Sequence, residues 1–322
     1  MRSEAKVLPA GFLERLKQIV PPQKFDEFVN TFTEPKPTTF RVNILKASPS
    51  PMKERLEHAG FGLEIVRWYP AAFILRRGAL RDLQKEEAYA KGEIYVQSLP
   101  SMIPPLVLNP QPGEVILDLT AAPGSKTTQI ATLMKGEGRL VANDNDKVRF
   151  FKLKANVESQ GVSNVELSLR YGESFGKYQP EIYDRVLLDA PCSAEGRFLT
   201  REPKSFGFWK PAKVKEMARK QKKLVFSALH ALKTGGLMVY STCTYAPEEN
   251  EEVLNWALEK FQPAIELEEI RLPLTNQMAG LSRWQKEGFD PSVRRAVRIM
   301  PTRDMEGFFV AAIRKREPLP AF

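Results

Sequence analysis

The sequence predicts an α/β protein built around a mostly parallel β-sheet. From residue 114 onward, apolar runs of strand length alternate with segments of helical periodicity. We expect five strands in the segments "EVILDLT", "RLVAND", "NVELSL", "IYDRVLLDA" and "GGLMVYST". Strands that stay apolar on both faces are typical of a parallel sheet that helices cover on each side. Functional groups in such a sheet are expected at the carboxyl ends of the strands.

Helices are expected between these strands, and a two-stranded ribbon is expected near the end of the chain. The helices are predicted from about Lys126, in "KVRFFKLKANVESQG", around residues 212–232 and in "EENEEVLNWALEKF". Two late apolar runs, "AVRIMP" and "GFFVAAIRK", predict an antiparallel pair. Residues 96–322 are therefore assigned to one large domain.

Residues 1–95 predict a smaller α/β domain. Helical spacing of apolar residues is present in "GFLERLKQIV" and "PMKERLEHAG", and Gly60 suits the end of the second helix. Short strands are expected in "TTFRVNIL" and "AAFILRR". The Pro-bearing stretch "QSLPSMIPPLVLNPQPGE" marks the change to the large domain.

Composition indicates an ordinary globular protein of the cytoplasm. Hydrophobic residues make up 43% of the 322 residues and charged residues 27%. No segment approaches the roughly 18 consecutive apolar residues of a membrane span. Charges interrupt the first twenty residues, which excludes the apolar core of a signal peptide. Two cysteines are typical of a reducing compartment, and we expect a monomer without membrane contact or metal.

The balance of charge favours a polyanionic partner. The formal net charge is +9, and residues 201–223 hold nine Lys or Arg against two Glu. The tail from Arg271 holds ten basic residues against five acidic ones. These clusters favour nucleic acid over a merely solvated surface. Aromatic residues interleave with the first cluster and suit either base stacking or internal packing; they are Phe198, Phe206, Phe208 and Trp209.

The loop "DLTAAPGSKTTQIA" predicts a site for an adenosine-containing cofactor. Ala121, Ala122 and Gly124 permit close approach of a ligand to the backbone, and Pro123 fixes the turn. The loop has neither the G-x-G-x-x-G spacing of dinucleotide folds nor the Gly-Lys of a P-loop. Asp144, at the end of the second strand, can accept hydrogen bonds from ribose hydroxyls. The alternative is an ordinary strand-to-helix turn with a capping Asp.

The only two cysteines follow the fourth and fifth predicted strands. If those strands are neighbours, about 4.8 Å apart, Cys192 and Cys243 both line the cleft. Asp189 precedes Cys192 by three residues, and Lys126 is a cation that lowers a thiol pKa. A thiolate that attacks an electron-poor ring, beside a carboxylate on the ring nitrogen, fits this arrangement. Inert packing and a disulfide are the alternatives, and His58 and His230 are expected to be structural.

Four segments together resemble the RNA 5-methylcytosine methyltransferases of the Nol1/Nop2/Sun family: "DLTAAPGSKT", "ANDNDKVR", "YDRVLLDAPCSAEG" and "YSTCTYAPEENE". The likeness is closest to the bacterial enzymes that modify small-subunit ribosomal RNA, and it covers about residues 95–320. It implies the class I S-adenosylmethionine-dependent methyltransferase fold, with a mostly parallel seven-stranded sheet. It also implies S-adenosylmethionine as cofactor, held by Asp144, Asp189 and the loop residues Thr120, Ala121, Ala122, Pro123, Gly124, Ser125 and Lys126.

The resemblance further implies catalytic roles. Cys243 is the implied nucleophile on C6 of a flipped cytosine, and Cys192 the residue that assists release of the methylated base. Asp189 is assigned to N3 and the amino group of the cytosine, and Lys126 lies near that base. Tyr171 stands where the family usually has an acidic residue near the adenine. RNA contact is expected from the N-terminal domain and the basic segments.

Cytosine-C5 methylation of RNA is thus the expected activity, with 16S ribosomal RNA favoured over tRNA as the substrate. A non-catalytic, RNA-binding ribosome-assembly factor is the alternative from another class of protein, and the intact Cys192, Cys243 and Asp189 disfavour it. A small-molecule methyltransferase is disfavoured by the basic clusters.

Overall fold

The computed structural model describes residues 7–321 of the chain. The first six residues of the predicted N-terminal domain, and Phe322 of the large domain, lie outside the described residues. In the described range the helices are α1 Ala10–Ile19, α2 Phe25–Asn30, α3 Pro49–His58, α4 Leu80–Leu83, α5 Glu87–Ala90, α6 Leu99–Leu108, α7 Ser125–Leu133, α8 Lys147–Gln160, α9 Phe175–Tyr178, α10 Pro211–Ala231 and α11 Glu251–Phe261. None of these helices has the length and apolar character needed to cross a lipid bilayer.

The strands of the described range, in chain order, are β1 Thr39–Val42, β2 Gly62–Ile65, β3 Ala72–Arg77, β4 Ile94–Val96, β5 Val115–Asp118, β6 Arg139–Asn143, β7 Val165–Ser168, β8 Tyr183–Asp189, β9 Leu232–Thr242, β10 Ile265–Glu268, β11 Gln277–Ala279, β12 Arg283–Trp284, β13 Glu287–Gly288, β14 Val297–Ile299 and β15 Phe308–Lys315. They form a large sheet, a small N-terminal sheet and a two-stranded ribbon of β12 and β13. The five strands predicted for the large domain correspond to β5, β6, β7, β8 and β9.

The large sheet has the order β11-β14-β15-β9-β8-β5-β6-β7, and β10 also pairs with β15. The strands from β9 to β7 are parallel, which confirms the predicted α/β class. The predicted antiparallel ribbon is also confirmed, since β14 pairs with β15. The sheet has nine strands where seven were expected. β15 is long enough to pair β14 over residues 308–310 and β10 over residues 312–315, and β11 adds a further strand by pairing with β14.

Helices cover both faces of the large sheet. Leu117 and Met238 pack in a core with α10 and α11. Ile116 and Val239, their immediate neighbours in the same two strands, pack in a second core with α6, α7 and α8. Successive side chains of a strand point to opposite faces, so burial of both faces explains why these strands are apolar throughout.

The Pro-bearing stretch after the N-terminal sheet forms a helix that the sequence did not predict. Pro104 and Pro105 lie inside α6, although proline in a helix interior removes a backbone hydrogen bond. The helix is nevertheless buried along most of its length, with Met102, Ile103 and Leu108 fully enclosed. A helix that is apolar on all sides belongs in a protein interior, and burial here offsets the lost hydrogen bonds.

The N-terminal sheet has the order β2-β3-β1-β4 and is antiparallel throughout. Phe40 and Phe73 stack at its centre with ring centroids 5.5 Å apart, and Leu56 of α3 packs in the same core. Gly60 follows α3 with a φ of +94°, a left-handed conformation that glycine adopts at helix ends. The predicted end of this helix is thereby confirmed.

The first two helices pack against the large domain. The Phe12 ring lies 5.0 Å from that of Phe198 and 5.8 Å from that of Trp209. Phe198, Phe206 and Trp209 are all buried, whereas Phe208 is 50% exposed. These aromatic residues were expected either to stack on bases or to pack internally. Internal packing is correct for three of the four residues. We propose that a boundary near residue 95 separates the small sheet from the large domain, and that α1 and α2 belong with the large domain.

We expect Phe12→Ala to lower the free energy of unfolding by about 3–5 kcal/mol, because it removes a buried ring from this aromatic cluster. The matched control is Phe208→Ala, since the Phe208 ring is half exposed. It is expected to change the free energy by less than about 1 kcal/mol. Urea unfolding of the three proteins measures both values, and an equal loss in the two variants would contradict the packing described.

Candidate active site

The two cysteines lie side by side at the carboxyl edge of the large sheet. β8 and β9 pair in parallel with Asp189 opposite Ser241, so the residues that follow the two strands emerge together. The Sγ atoms of Cys192 and Cys243 are 3.2 Å apart, and both thiols are free. This separation is that of a hydrogen-bonded pair, because a disulfide bond is about 2.05 Å long.

The surroundings of the two thiols differ and rank them. The Cys192 thiol donates a hydrogen bond that, against the effect of burial, lowers the pKa of Cys243 to about 7; the nearby cations Arg197 and Lys126 add to this. The hydrogen bond to Cys243, burial and the charge on Cys243 together raise the pKa of Cys192 well above that of an ordinary thiol. Cys243 is therefore the thiol that ionises first, a ranking that spacing alone could not supply.

Asp189 is oriented by three elements around it. Its Oδ2 pairs with Lys126 Nζ of α7 at 2.6 Å, and its Oδ1 accepts a hydrogen bond from Ser241 Oγ of β9 at 2.7 Å. Lys126 Nζ also donates to Ser101 Oγ of α6 at 2.9 Å. The backbone carbonyl of Asp189 accepts from Thr120 Oγ1 at 2.8 Å. The structure thus brings the predicted residues Lys126, Asp189 and Thr120 into one network.

A cleft with two adjoining parts opens over these groups. The first part, the cysteine pocket, is lined by Asp144, Glu173, Cys192, Lys220, Leu224 and Cys243 among others. The second part, the loop pocket, includes Tyr95, Gln97, Asp118, Pro123, Ser125 and Lys126. Four residues line both parts: Thr120, Arg149, Asp189 and Arg197.

The small-residue loop 120–126 runs from the end of β5 into α7. Ala121 and Ala122 line the loop pocket with Pro123, Ser125 and Lys126. Gly124 lines neither pocket; it has a φ of +106°, and a Cβ there would lie 3.0 Å from Leu153 Cδ1. Gly124 therefore serves the turn and its approach to α8.

Asp144 directly follows β6 and is buried beside the cysteine pocket. Its Oδ2 accepts a hydrogen bond from the backbone N–H of Ala122 at 3.2 Å, and Arg149 Nη2 lies 3.5 Å away. Its Oδ1 accepts from the N–H of Asp146 at 3.0 Å. The carboxylate is fixed between the small-residue loop and the start of α8, which suits recognition of a ligand held by that loop.

Two buried carboxylate oxygens in the cleft accept no hydrogen bond from the described part of the chain: Oδ1 of Asp118 and Oε2 of Glu173. Burial raises the pKa of Asp118 to about 7. A buried acceptor without a donor is costly, so a ligand that carries an amino group or hydroxyls suits Glu173. With Asp144 and the small-residue loop, the cleft fits an adenosine-containing ligand. Among residues 7–321, no group of three or more His, Cys, Asp or Glu side chains could hold a metal ion.

Glu173 was not predicted, and the turn that carries it is held from two sides. Ser227 Oγ of α10 donates to the carbonyl of Gly172 at 2.8 Å. The N–H of Arg170 donates to Oδ1 of Asn143, in β6, at 3.0 Å. Tyr171, by contrast, is 72% exposed and lines neither pocket. The acidic group in this region therefore lies two residues after the position at which the family usually has one.

A buried glutamate braces the loop that carries Cys192. Glu249 Oε2 accepts hydrogen bonds from the Ser193 N–H at 3.0 Å and from Gln221 Nε2 at 2.9 Å. Burial raises the pKa of Glu249 to about 8. Gln221 Nε2 also donates to the carbonyl of Pro191 at 2.9 Å. This function of Glu249 could not be predicted from the sequence, because "PEEN" is equally compatible with an exposed helix start.

The N-terminal sheet forms one wall of the cleft. Arg41 of β1 is fully buried, and its Nη2 donates to Thr128 Oγ1 at 2.8 Å and to the Ser125 carbonyl at 3.2 Å. Its Nε donates to Gln97 Oε1 at 2.9 Å. Tyr95 and Gln97 line the loop pocket. The small sheet is thus fastened to the first turn of α7, beside the small-residue loop.

The two basic clusters differ in how far their charges are neutralised. In the tail, five of the ten cations form ion pairs with acidic side chains: Arg271, Arg298, Arg314, Lys315 and Arg316. In residues 201–223, only Arg201 and Lys213 are paired within the described range. Of the nine cations in residues 201–223, seven therefore form no ion pair in the described range, and five of these lie in α10, where Lys220 reaches the cysteine pocket.

Comparison with known proteins identifies the family. The sequence profile described as "16S rRNA methyltransferase RsmB/F" matches residues 105–314. The chain belongs to this family. A second profile, for the N-terminal domain of 16S rRNA methyltransferase RsmF, matches residues 8–99. Membership in the RsmB/F family confirms the resemblance drawn from the sequence motifs.

Three relatives illustrate the similarity. Ribosomal RNA small subunit methyltransferase F of Vibrio campbellii is 41% identical over 96% of this chain. The tRNA (cytosine(49)-C(5))-methyltransferase of Pyrococcus abyssi is 38% identical over 98% of each chain. The solved structure of a methyltransferase homologue from Pyrococcus horikoshii is 32% identical, with a TM-score of 0.80 over 96% of this chain and 100% of that one. This last match confirms the predicted methyltransferase fold. The chain spans 63% of the length of the Vibrio relative.

The pKa values of the thiols predict different reactivities. We expect alkylation of Cys243 by iodoacetamide to rise with pH through a midpoint near 7, because the thiolate is the reactive form. Cys192 should react only at much higher pH. Rates measured from pH 5 to 10, with each cysteine followed by peptide mass spectrometry, check both statements. Earlier reaction of Cys192 would contradict the ranking.

Proposed function

We propose that this chain transfers a methyl group from S-adenosylmethionine to C5 of a cytosine in RNA. The observation that carries the proposal is the pair of thiols 3.2 Å apart beside Asp189. Cytosine C5 is a poor nucleophile until a group adds to C6, so this reaction needs a nucleophile and a base close together. One thiol of lowered pKa and one of raised pKa supply both.

The proposed reaction begins with Cys243. Its thiolate adds to C6 and forms a carbon–sulfur bond, and the electron pair displaced from the C5–C6 double bond makes C5 nucleophilic. Asp189 accepts a hydrogen bond from the amino group of the base and shares a proton with N3, which holds the ring over the sulfur. S-adenosylmethionine, when bound, supplies an electrophilic methyl group to C5. Lys126 keeps the Asp189 carboxylate in place through its 2.6 Å ion pair.

Release of the product is assigned to Cys192. After methylation C5 carries both the methyl group and its original proton. Because Cys243 is then bonded to C6 and is no longer a thiolate, the Cys192 thiol gives its own proton to solvent, and its sulfur then takes the proton from C5. The C5–C6 double bond reforms, the bond from C6 to Cys243 breaks, and the Cys243 thiolate returns. Burial still raises the pKa of Cys192 at that stage, which makes its thiolate a strong base.

The residues proposed to hold the cofactor come from four segments. The loop Thr120, Ala121, Ala122, Pro123, Gly124, Ser125 and Lys126 approaches it closely, with Gly124 acting through the turn. Asp144 accepts hydrogen bonds from the ribose hydroxyls, and Asp189 lies where the cofactor meets the base. To these we add Glu173, whose buried Oε2 is suited to the amino group of adenine.

The RNA substrate is proposed to be 16S ribosomal RNA, because both matching profiles are named for 16S rRNA methyltransferases. A tRNA is the second candidate, because the Pyrococcus abyssi tRNA methyltransferase matches over 98% of both chains. In either case the unpaired cations of α10 are suited to the phosphate backbone. The exposed Phe208 remains available for stacking on an unpaired base.

Methyl transfer to separate RNA pools tests the proposal. We expect label from methyl-labelled S-adenosylmethionine to appear as 5-methylcytosine in unmodified small-subunit rRNA, or otherwise in tRNA. Cys243→Ala should abolish the label, because no adduct forms. Cys192→Ala should instead accumulate a protein–RNA adduct that survives denaturation. RNA binding without label in either pool, for naked RNA and assembled subunits alike, would replace this proposal with the binding-factor alternative.

Binding of S-adenosylhomocysteine tests the assignment of Glu173. We expect Glu173→Ala to weaken its binding about tenfold, because a hydrogen bond to a charged acceptor is lost. The inosine analogue lacks the amino group, so its affinity should not fall in this variant. Tyr171→Ala is the matched control and should bind both ligands like the native protein. Isothermal titration of the three proteins with the two ligands measures all six affinities, and an equal loss for both ligands in Glu173→Ala would contradict the assignment.

A further inference from the structure

Arg197 is carried on a turn whose backbone is packed directly against Cys243. The N–H of Gly196 donates to the carbonyl of Cys243 at 2.9 Å. A Cβ at position 196 would lie 3.0 Å from that carbonyl oxygen and 2.4 Å from the Gly307 oxygen, so only glycine permits this approach. The turn Glu195–Arg197 therefore keeps a fixed position relative to Cys243.

The Glu195 side chain also holds this turn against the segment that follows Cys243. Its buried carboxylate accepts hydrogen bonds from Thr244 Oγ1 at 2.9 Å, from the Tyr245 N–H at 3.0 Å and from Trp209 Nε1 at 2.8 Å. Thr244 and Tyr245 directly follow Cys243, so the two segments move as one unit. The long side chain of Arg197 is the part of the turn that remains free to act in the cleft.

Arg197 differs from the other cations of the cleft. Lys126 is paired with Asp189, and Arg149 donates to the Ala122 carbonyl. In residues 7–321 the Arg197 guanidinium makes no hydrogen bond or ion pair with a protein group. Lys220 shares this property but lines only the cysteine pocket, whereas Arg197 lines both pockets.

We propose that Arg197 is the counter-ion of the Cys243 thiolate and keeps this sulfur ready to attack. The inference rests on the proposed function, in which Cys243 is the nucleophile. A guanidinium is charged at every relevant pH, so it favours the thiolate without taking its proton. Cys243 and Asp189 raise the pKa of Arg197, and the Arg197 charge lowers the pKa of Cys243.

Several other groups act on the thiol pair and must stay constant in a test. Lys126 of α7 favours the Cys243 thiolate, and Asp189 of β8 opposes it. Glu249, before α11, acts on Cys192, and Glu306, before β15, acts on Arg197. Because Arg197 bonds to none of them, its replacement leaves their hydrogen bonds in place. A change in Cys243 after that replacement can therefore be attributed to the lost charge.

The test is the pH dependence of Cys243 alkylation in Arg197→Met, Arg197→Lys and Lys220→Met. An opposite charge within about 4–6 Å shifts a pKa by about 1–3 units. We expect the midpoint for Arg197→Met to rise by about one unit or more, so that alkylation at pH 7 slows several-fold. Arg197→Lys should restore much of the midpoint, and Lys220→Met should leave it unchanged.

An unchanged midpoint in Arg197→Met would overturn the inference, as would an equal rise in Lys220→Met, since that indicates the general field of the basic surface. Thermal unfolding of each variant shows whether the fold is intact. Alkylation requires neither RNA nor cofactor, so this experiment can succeed even if no RNA is methylated. Failure of the proposed function would appear only in the methyl-transfer assay.

Discussion

The parallel pairing of β8 with β9 is the interaction on which the candidate site depends. With Asp189 opposite Ser241, two chain segments far apart in sequence leave the sheet at the same point, and their thiols come within 3.2 Å. A slip of one residue in this register would turn the alternate side chains of β9 to the other face. It would also break the Ser241–Asp189 hydrogen bond of 2.7 Å. Burial of both faces of the two strands disfavours such a slip, because each face packs in its own core.

The chemistry at this edge rests on unequal environments for similar groups. The thiols share one hydrogen bond, yet the charges of Arg197 and Lys126 lower the pKa of Cys243, whereas the charge of Glu249 raises the pKa of Cys192. Two groups of the same type with separated pKa values can divide the functions of nucleophile and base. The surrounding carboxylates are not interchangeable either, since Asp189 is ion-paired whereas one oxygen of Glu173 has no partner among the described residues. The first arrangement holds a substrate group steady, and the second leaves an acceptor for a ligand.

The fold class was predictable from the alternation of apolar strands and helices. A strand that is buried on both faces is apolar at successive positions, and this pattern is visible in the sequence. Helix α6 was not predictable, because its prolines indicate a loop. Only the burial of Met102 and Ile103 in the folded protein compensates for these prolines. For the site, the motif residues Cys192, Cys243, Asp189 and Asp144 could be found from sequence because each lies at or just after the carboxyl end of a strand. Glu173 and Glu249 could not be selected, because an acidic residue in a loop is usually exposed. Only the packing of the turns that carry them reveals that they face the cleft or the core.

The most direct test of the account is to locate the covalent bond between protein and RNA. RNA that carries 5-fluorocytosine in place of cytosine has no C5 proton to remove, so the adduct cannot be resolved after methyl transfer. Digestion of the trapped complex and mass spectrometry then identify the modified peptide. We expect the modification on Cys243, in the peptide that contains "STCTYAPEEN". A modification on Cys192 in "DAPCSAEG" would contradict it, because the thiol of raised pKa would then be the nucleophile.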